Sequence, residues 1–284
     1  MIQFTATPSL VNPVMLCAFQ GWNDAAGAAS ETVAHLIEAW DATQIAAFDP
    51  EDYYDFQVNR PIISLDDEGM RQISWPTTRI YQGRPPGSLQ DVILVAGIEP
   101  NLRWRDFTSE LLDFGAAHEM SLLVTIGALL AEVPHTRPVR VTGMASEVDL
   151  EDRLGLTQAT YEGPIGIVGV IQDACTRLDL PAVSYWAAIP HYLPQSPNPK
   201  ATVALISHLE ELLDLSIDLG ELPEDIQAWE RGVAELAAED EEIMNYVRSL
   251  EESHDADNLP EASGEEIAKE FERYLKRRDR PQQP

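Results

Sequence analysis

Positive charge is what this sequence has least of. Its 284 residues hold three lysines, Lys200, Lys269 and Lys276, and 19 Lys and Arg stand against 48 Asp and Glu, a formal net charge of −29. A surface of that sign repels nucleic acid and anionic membranes, which excludes both as default partners. It leaves open a basic patch on another protein, or plain solubility. Cysteine is also scarce. Cys17 and Cys175 are the only two, too few for a disulfide scaffold or a cysteine zinc site, and each sits among apolar residues as a small core side chain. No apolar run nears the ~18–20 residues needed to cross a bilayer, and no charged-then-apolar leader opens the chain. The expected location is a reducing cytoplasm.

Catalytic and cofactor motifs are missing too. Gly-Lys never occurs, so there is no phosphate-binding P-loop, and there is no G-x-S-x-G nucleophile elbow. Gly163, Gly166 and Gly169 do not follow a strand in the G-x-G-x-x-G order of a dinucleotide site. Histidines 35, 118, 135, 191, 208 and 254 lack H-x-H or H-x-x-x-H spacing. No metal and no cofactor is expected.

What the sequence does contain is alternation. Val14–Phe19 is an apolar run suited to a strand buried on both faces, and Gly21 breaks it. Asn23 or Asp24 can cap the helix that follows, whose apolar residues Ala26, Ala29, Val33, Leu36, Ile37 and Trp40 recur at helical spacing. Further strands are expected at Thr43–Phe48, Asp91–Gly97, Met120–Ile126, Val139–Thr142 and Val183–Ile189. Helices are expected at Arg105–Ala117, in a short apolar piece after Gly127, from Glu162–Pro164 onward, and from Pro199 to Leu213. Short alternating pieces between Ile62 and Gln82 read as an antiparallel insertion or edge. The pattern predicts an α/β fold with a mostly parallel sheet covered on both faces.

Beyond about Leu215 the composition changes. Arg231 and Arg248 are the only Lys or Arg between Ala201 and Ala268. An apolar stripe runs Ile226, Trp229, Val233, Leu236, Ile243, Val247, Leu250, interrupted at Asp240; a loop is expected at Glu251–Gly264 and a second helix at Glu265–Arg278. The expected organisation is an α/β/α domain over residues 1–219 and an acidic helical extension over 220–284, with Glu235, Glu239, Glu241, Glu242, Glu251 and Glu252 facing outward.

Open parallel sheets gather ligands at the carboxyl ends of their strands. The candidate binding residues there are Gly21, Asn23, Asp24, Glu99, Asn101, Arg103 and Arg105. Arg103 and Arg105 fit a carboxylate or phosphate if they share a loop, or ion pairs with Glu99 or Asp106. Asp24 fits a helix cap better than a ligand, since it already brings negative charge to the helix start. Trp22, Tyr53, Tyr54 and Trp104 are candidate interface residues, because a monomer is expected to leave such loop aromatics partly exposed.

Six segments, QGWNDAAGAA, DYYDFQVNRP, GIEPNLRWRDF, VPHTRPVRVTG, YEGPIGIVG and WAAIPHYLPQSPNPKAT, together resemble the actinobacterial branch of the proteasome assembly chaperone 2 family. The resemblance runs in order from about Met1 to Leu213, and the acidic extension resembles that branch's C-terminal helices. It implies a three-layer α/β/α fold like that of nucleoside phosphorylases, and self-assembly, most simply as a trimer. It carries over no catalytic residue. Two readings follow. The first is a non-enzymatic, chaperone-like homo-oligomer that meets a proteasome subunit or another protein with a basic patch. The second is an enzyme or binding protein for a phosphorylated or nucleoside-like small molecule, using the strand-end groups.

Overall fold

The computed structural model describes residues 1–147, 150–151, 154–156, 161–238 and 241–258. The expected helix at 265–278, the terminal PQQP and Glu239 lie outside the described residues.

Val14–Gln20 (β2) shows how the core is made. Its alternate residues Val14, Leu16 and Ala18 enter one apolar cluster, and Met15, Cys17 and Phe19 enter another on the opposite face. A strand apolar at every position is therefore a strand between two helical layers. Strands Val92–Ile98 (β7), Leu122–Ala131 (β8) and Ala182–Pro190 (β10) join it in a parallel centre ordered β7-β2-β8-β10. The margins are antiparallel. Thr78–Gly83 (β6), Thr43–Phe48 (β3) and Ile2–Phe4 (β1) extend the β7 side, and Val141–Ala145 (β9) closes the β10 side. Helices Ala28–Ala39 (α1) and Pro199–Leu213 (α5) cover one face; Trp104–Ala117 (α3) and Ile167–Arg177 (α4) cover the other. The expected α/β/α layering is the fold observed.

Two expected boundaries move, for one reason. Gly127 and Gly143 read as strand ends, yet β8 continues to Ala131, paired with Pro190, and β9 runs through Gly143. No helix forms after Gly127. A Cβ there would sit 2.7 Å from the Trp186 ring, so this glycine makes room for an aromatic neighbour inside the sheet. α4 likewise starts at Ile167 rather than at 162–164, because Gly166 is still extended.

Two hairpins project from this body. The insertion expected between Ile62 and Gln82 is a separate ribbon, Ile62–Leu65 (β4) paired antiparallel with Arg71–Ser74 (β5). All eight residues of the two strands are exposed. The second is helical, Leu222–Ala238 (α6) and Glu241–Asn258 (α7). Among the described residues the apolar stripe lies on two helices, Ile226 to Leu236 on α6 and Ile243 to Leu250 on α7. Glu251–Asn258, expected as loop, continues α7; nothing before Pro260 in that stretch breaks a helix. No helix among the described residues is long and apolar enough to cross a membrane.

Candidate functional site

The site begins with the turn after β2. Gly21 has φ 132°, a conformation only glycine takes easily, and a Cβ there would lie 3.3 Å from Glu99 Cβ. Asp24 then holds the start of α1. Its Oδ1 accepts from Ala29 N at 2.8 Å and Ser30 N at 3.1 Å, and its Oδ2 accepts from Ser30 Oγ at 2.5 Å. Burial pushes its carboxyl above the usual range, while the Ser30 hydroxyl and the backbone donors pull it back. All of this carboxylate's recorded contacts serve the cap.

Asn23 is 1% exposed. Its Nδ2 donates to Glu99 Oε1 at 2.7 Å, and its backbone carbonyl accepts from Ala128 N at 2.8 Å. Glu99 follows β7 and reaches across to the start of α4, where Ile167 N donates to the same Oε1 at 2.8 Å. Gly166 permits the approach: a Cβ there would lie 2.2 Å from Asn23 Nδ2 and 2.3 Å from its Oδ1. A helix start with free N–H groups attracts anions. Here the anion is part of the chain. Glu99 occupies the place that a phosphate or carboxylate ligand would take at α4, and Asp24 does the same at α1. Asn23 Oδ1 is buried without a hydrogen-bond partner.

Asn101, Arg103 and Arg105 do not join this cluster. Asn101 Oδ1 accepts from Asp55 N and Asn59 Nδ2, both at 2.9 Å, and so ties down the loop before the ribbon. Arg103 precedes α3 with φ 53°; its Nη1 meets Asp52 Oδ1 and its Nε meets Asp106 Oδ2, each at 2.9 Å, over the Tyr53 ring. It is the ion-paired alternative, with Asp106 as one partner. Arg105 is exposed in the first turn of α3, not on a loop with Arg103. Residues two apart on a helix do not face one way.

The aromatic candidates divide. Trp22 is 64% exposed. Tyr53 and Tyr54 are buried inside the protomer, a correction to their expected surface role. Tyr53 packs edge-on to Phe48 and Phe107, and the Tyr54 hydroxyl bonds to Thr78 Oγ1 and the Ile98 carbonyl, both at 2.8 Å. Pro50–Tyr53 (α2), a single turn capped by Asp49, turns both rings inward. Trp104 is half-buried, its Nε1 donating to Pro100 O.

The helical hairpin is seated on loops that follow β8 and β10. Arg137 Nη1 meets Glu251 at 3.2 Å, and its Nε and Nη2 grip Asp255 at 2.9 and 2.6 Å. Thr136 Oγ1 also donates to Glu251. Glu251 therefore faces the body, not solvent as expected; Glu235, Glu241, Glu242 and Glu252 are exposed. Lys200 Nζ bridges Glu230 and the His135 carbonyl, each at 2.9 Å. Val233, Val247 and Leu250 are buried, and His135, His191, Tyr192, Trp229 and Tyr246 meet edge to face. A void of about 10 Å³ remains beneath, room for one water. Leu236, Ile243 and Met244, near the hairpin's turn, stay exposed. Sequence reasoning missed Arg137, Lys200 and His135 as docking groups. Their one signal was being basic residues beside prolines in an acidic chain.

Among the described residues no three His, Cys, Asp or Glu side chains converge as metal ligands. A cavity of about 350 Å³ between Val14, Ser121, Pro181 and Leu212 opens at the amino ends of the strands, away from the end where such sheets carry their ligands.

A family model described as the PAC2 family matches residues 18–237. Among solved structures, a PAC2 family protein from Streptomyces avermitilis is 55% identical, with 83% of this chain and 99% of that one covered and a TM-score of 0.78. A Mycobacterium tuberculosis proteasome-assembly chaperone homologue is 49% identical over the same shares, with a TM-score of 0.75. A Corynebacterium glutamicum protein of unknown function is 25% identical, covers 90% of this chain and 98% of its own, and has a TM-score of 0.82. No curated protein matches the chain.

Proposed function

The chain belongs to the PAC2 family, and from that premise we propose that it is a chaperone-like assembly protein, a non-enzymatic cytoplasmic homo-oligomer with a proteasome subunit as partner. The observation that carries the reading is Glu99. Its carboxylate accepts from Asn23 Nδ2 and Ile167 N, so the strand-end position where an α/β enzyme would hold an anionic substrate is filled by the protein itself. The 49% identical proteasome-assembly chaperone homologue supports the same role.

In this reading residues 1–219 form the assembling body and residues 220–284 an acidic extension that offers a surface to a basic partner. An outward carboxylate field speeds encounter with such a partner and fades with salt, over a Debye length of roughly 8 Å at physiological ionic strength. Self-association brings the exposed Trp22 under cover.

Purified protein mixed with unassembled proteasome subunits from its own cell should speed the appearance of assembled rings on native gels, less so at high salt. A variant truncated after Leu219 should remain folded and lose the effect. No effect on assembly, together with turnover of a phosphorylated or nucleoside-like compound that Glu99→Gln abolishes, would overturn the proposal in favour of an enzyme.

A further inference from the structure

We infer that the β4–β5 ribbon is an assembly arm whose apolar face docks on the strand-end rim of a second copy of this chain. The inference rests on the homo-oligomer reading above and assigns the surfaces that make the oligomer.

The ribbon is anomalous for a soluble monomer. Ile62, Ile63, Leu65, Met70, Ile73 and Trp75 are each between 43% and 68% exposed. The six side chains, most of them on one face, offer roughly 600 Å² of apolar area, at the upper limit of what an ordinary monomer shows and somewhat under the about 800 Å² that one partner buries in a standard interface. The register sorts them. Ile63 pairs with Ile73 and Leu65 with Arg71, while Ile62 pairs with Ser74 and Ser64 with Gln72. Because side chains alternate, Ile63, Leu65, Ile73 and Trp75 share one face and the other is mostly polar. Phe56 packs on Trp75 at the base of the ribbon, ring centroids 4.8 Å apart, while Ile63, Leu65 and Ile73 stay more than half exposed. A two-stranded ribbon so exposed is marginal in water, and needs more surface than Phe56 supplies.

The chain carries a matching surface at the same end of the sheet. The ribbon leads into β6, whose first residue Thr78 pairs with Gly97 at the carboxyl end of β7. At the end of β8 and in the segments that follow β2 and β7 or lead into α4, Trp22, Leu102, Leu129, Tyr161 and Ile165 are each 43% or more exposed. Trp22 adjoins Asn23, Leu129 adjoins the Ala128 that bonds Asn23, and Ile165 lies two residues before the Ile167 that bonds Glu99. The plugged site is thus the floor of an apolar rim. Arm and rim are different surfaces, so their contact is heterologous: the arm of one copy meets the rim of the next. Heterologous contacts close into rings when the rotation allows it, which is how three copies would form a trimer.

The test uses two variants in the full chain. The arm variant is Ile63→Thr, Leu65→Thr, Ile73→Thr, which keeps β propensity; the rim variant is Trp22→Ser, Leu102→Ser. All five side chains are exposed, so thermal unfolding of the isolated chains should be nearly unchanged. By light scattering, the wild type should be a multiple of one chain, and each variant should be a monomer at micromolar concentration, with association weakened roughly 100-fold or more. Mixed together, the two variants should form a two-chain complex, since one intact arm and one intact rim remain. A rim variant that stays fully oligomeric would overturn the arm-to-rim contact in favour of arm-to-arm pairing. An arm variant that stays oligomeric would overturn the arm's role and leave the homo-oligomer reading standing. A wild type that stays monomeric at every concentration would defeat the homo-oligomer reading itself.

Discussion

The two hairpins that project from the sheet solve opposite problems. The helical one, α6 and α7, is acidic and finds its partners at home. Arg137 holds Glu251 and Asp255, Lys200 holds Glu230, and Val233, Val247 and Leu250 are buried. The β4–β5 ribbon has apolar side chains and leaves every strand residue exposed, with Trp75 just after it resting on Phe56. Both stand at the carboxyl end of the parallel strands, one beside β10 and one beside β7, with the Asn23–Glu99 pair between them. In the assembly reading proposed above, this end is organised for protein surfaces. Arg137 and Lys200 fasten the acidic element, while exposed apolar surface is left at the ribbon.

The comparison can be broken most strongly at Val247. A carboxylate there would be buried against the body without a partner, so Val247→Asp should unseat the helical hairpin at a cost of roughly 3 kcal/mol. Limited proteolysis should then cut within α6 and α7 while residues 1–213 stay intact. If the hairpin remains protected, its apolar seat is not what holds it.

Acid should loosen the same hairpin before it reaches the ribbon, whose turn carboxylate Asp66 is held below its ordinary value by the Met70 N–H and Gln72 and so loses its share only at lower pH. Burial lowers the His135 imidazole below its ordinary 6.5, with nearby Lys200 adding to the effect and Glu251 and Glu230 opposing it. The hydrogen bond from Arg137 holds Asp255 down to about 2. Both folded values lie below the unfolded ones, so each group contributes stability at neutral pH that is lost as pH falls. The His135 share should fade below about 6.5, and the Asp255 share between the usual carboxylate range and about 2. Proteolysis of α7 by an acid-active protease should rise as pH drops from 7 to 4. A flat profile would remove His135 from the account.

The smallest effect sharpens the contrast from the other side. Ile63→Thr in the ribbon weakens the cross-strand pair with Ile73 but removes no buried side chain, since Ile63 is 57% exposed, so the unfolding free energy of the monomer should change by no more than about 0.5 kcal/mol. A larger loss would mean that the ribbon packs on its own body.

How much of this was legible in the sequence depends on whether local pattern or distant contact decides. β2, β3, β7 and β10 were readable because strands buried between two layers are apolar at every step. Asp24 as a cap and Pro199 at a helix start were readable because capping chemistry is local. Gly127 was misread because a glycine that ends a strand and one that yields to Trp186 look alike along the chain. Tyr53 and Tyr54 were misplaced because their burial depends on Phe107, Thr78 and Ile98, far along the sequence. The role of Glu99 was hidden for the same reason. Its two donors lie 76 and 68 residues away, so only the folded chain brings the carboxylate to the start of α4.

Hydrogen exchange on the full chain, followed by peptide mass and repeated over a hundredfold range of concentration, tests the central claim most directly. The account predicts that amides of Ile62–Leu65 and Arg71–Ser74 are protected in the assembled protein and exchange freely on dilution, together with the segment at Trp22. Protection of Leu222–Ala238 and Glu241–Asn258 should not depend on concentration. Ribbon amides that exchange equally fast at every concentration, in a protein that light scattering finds assembled, would contradict it.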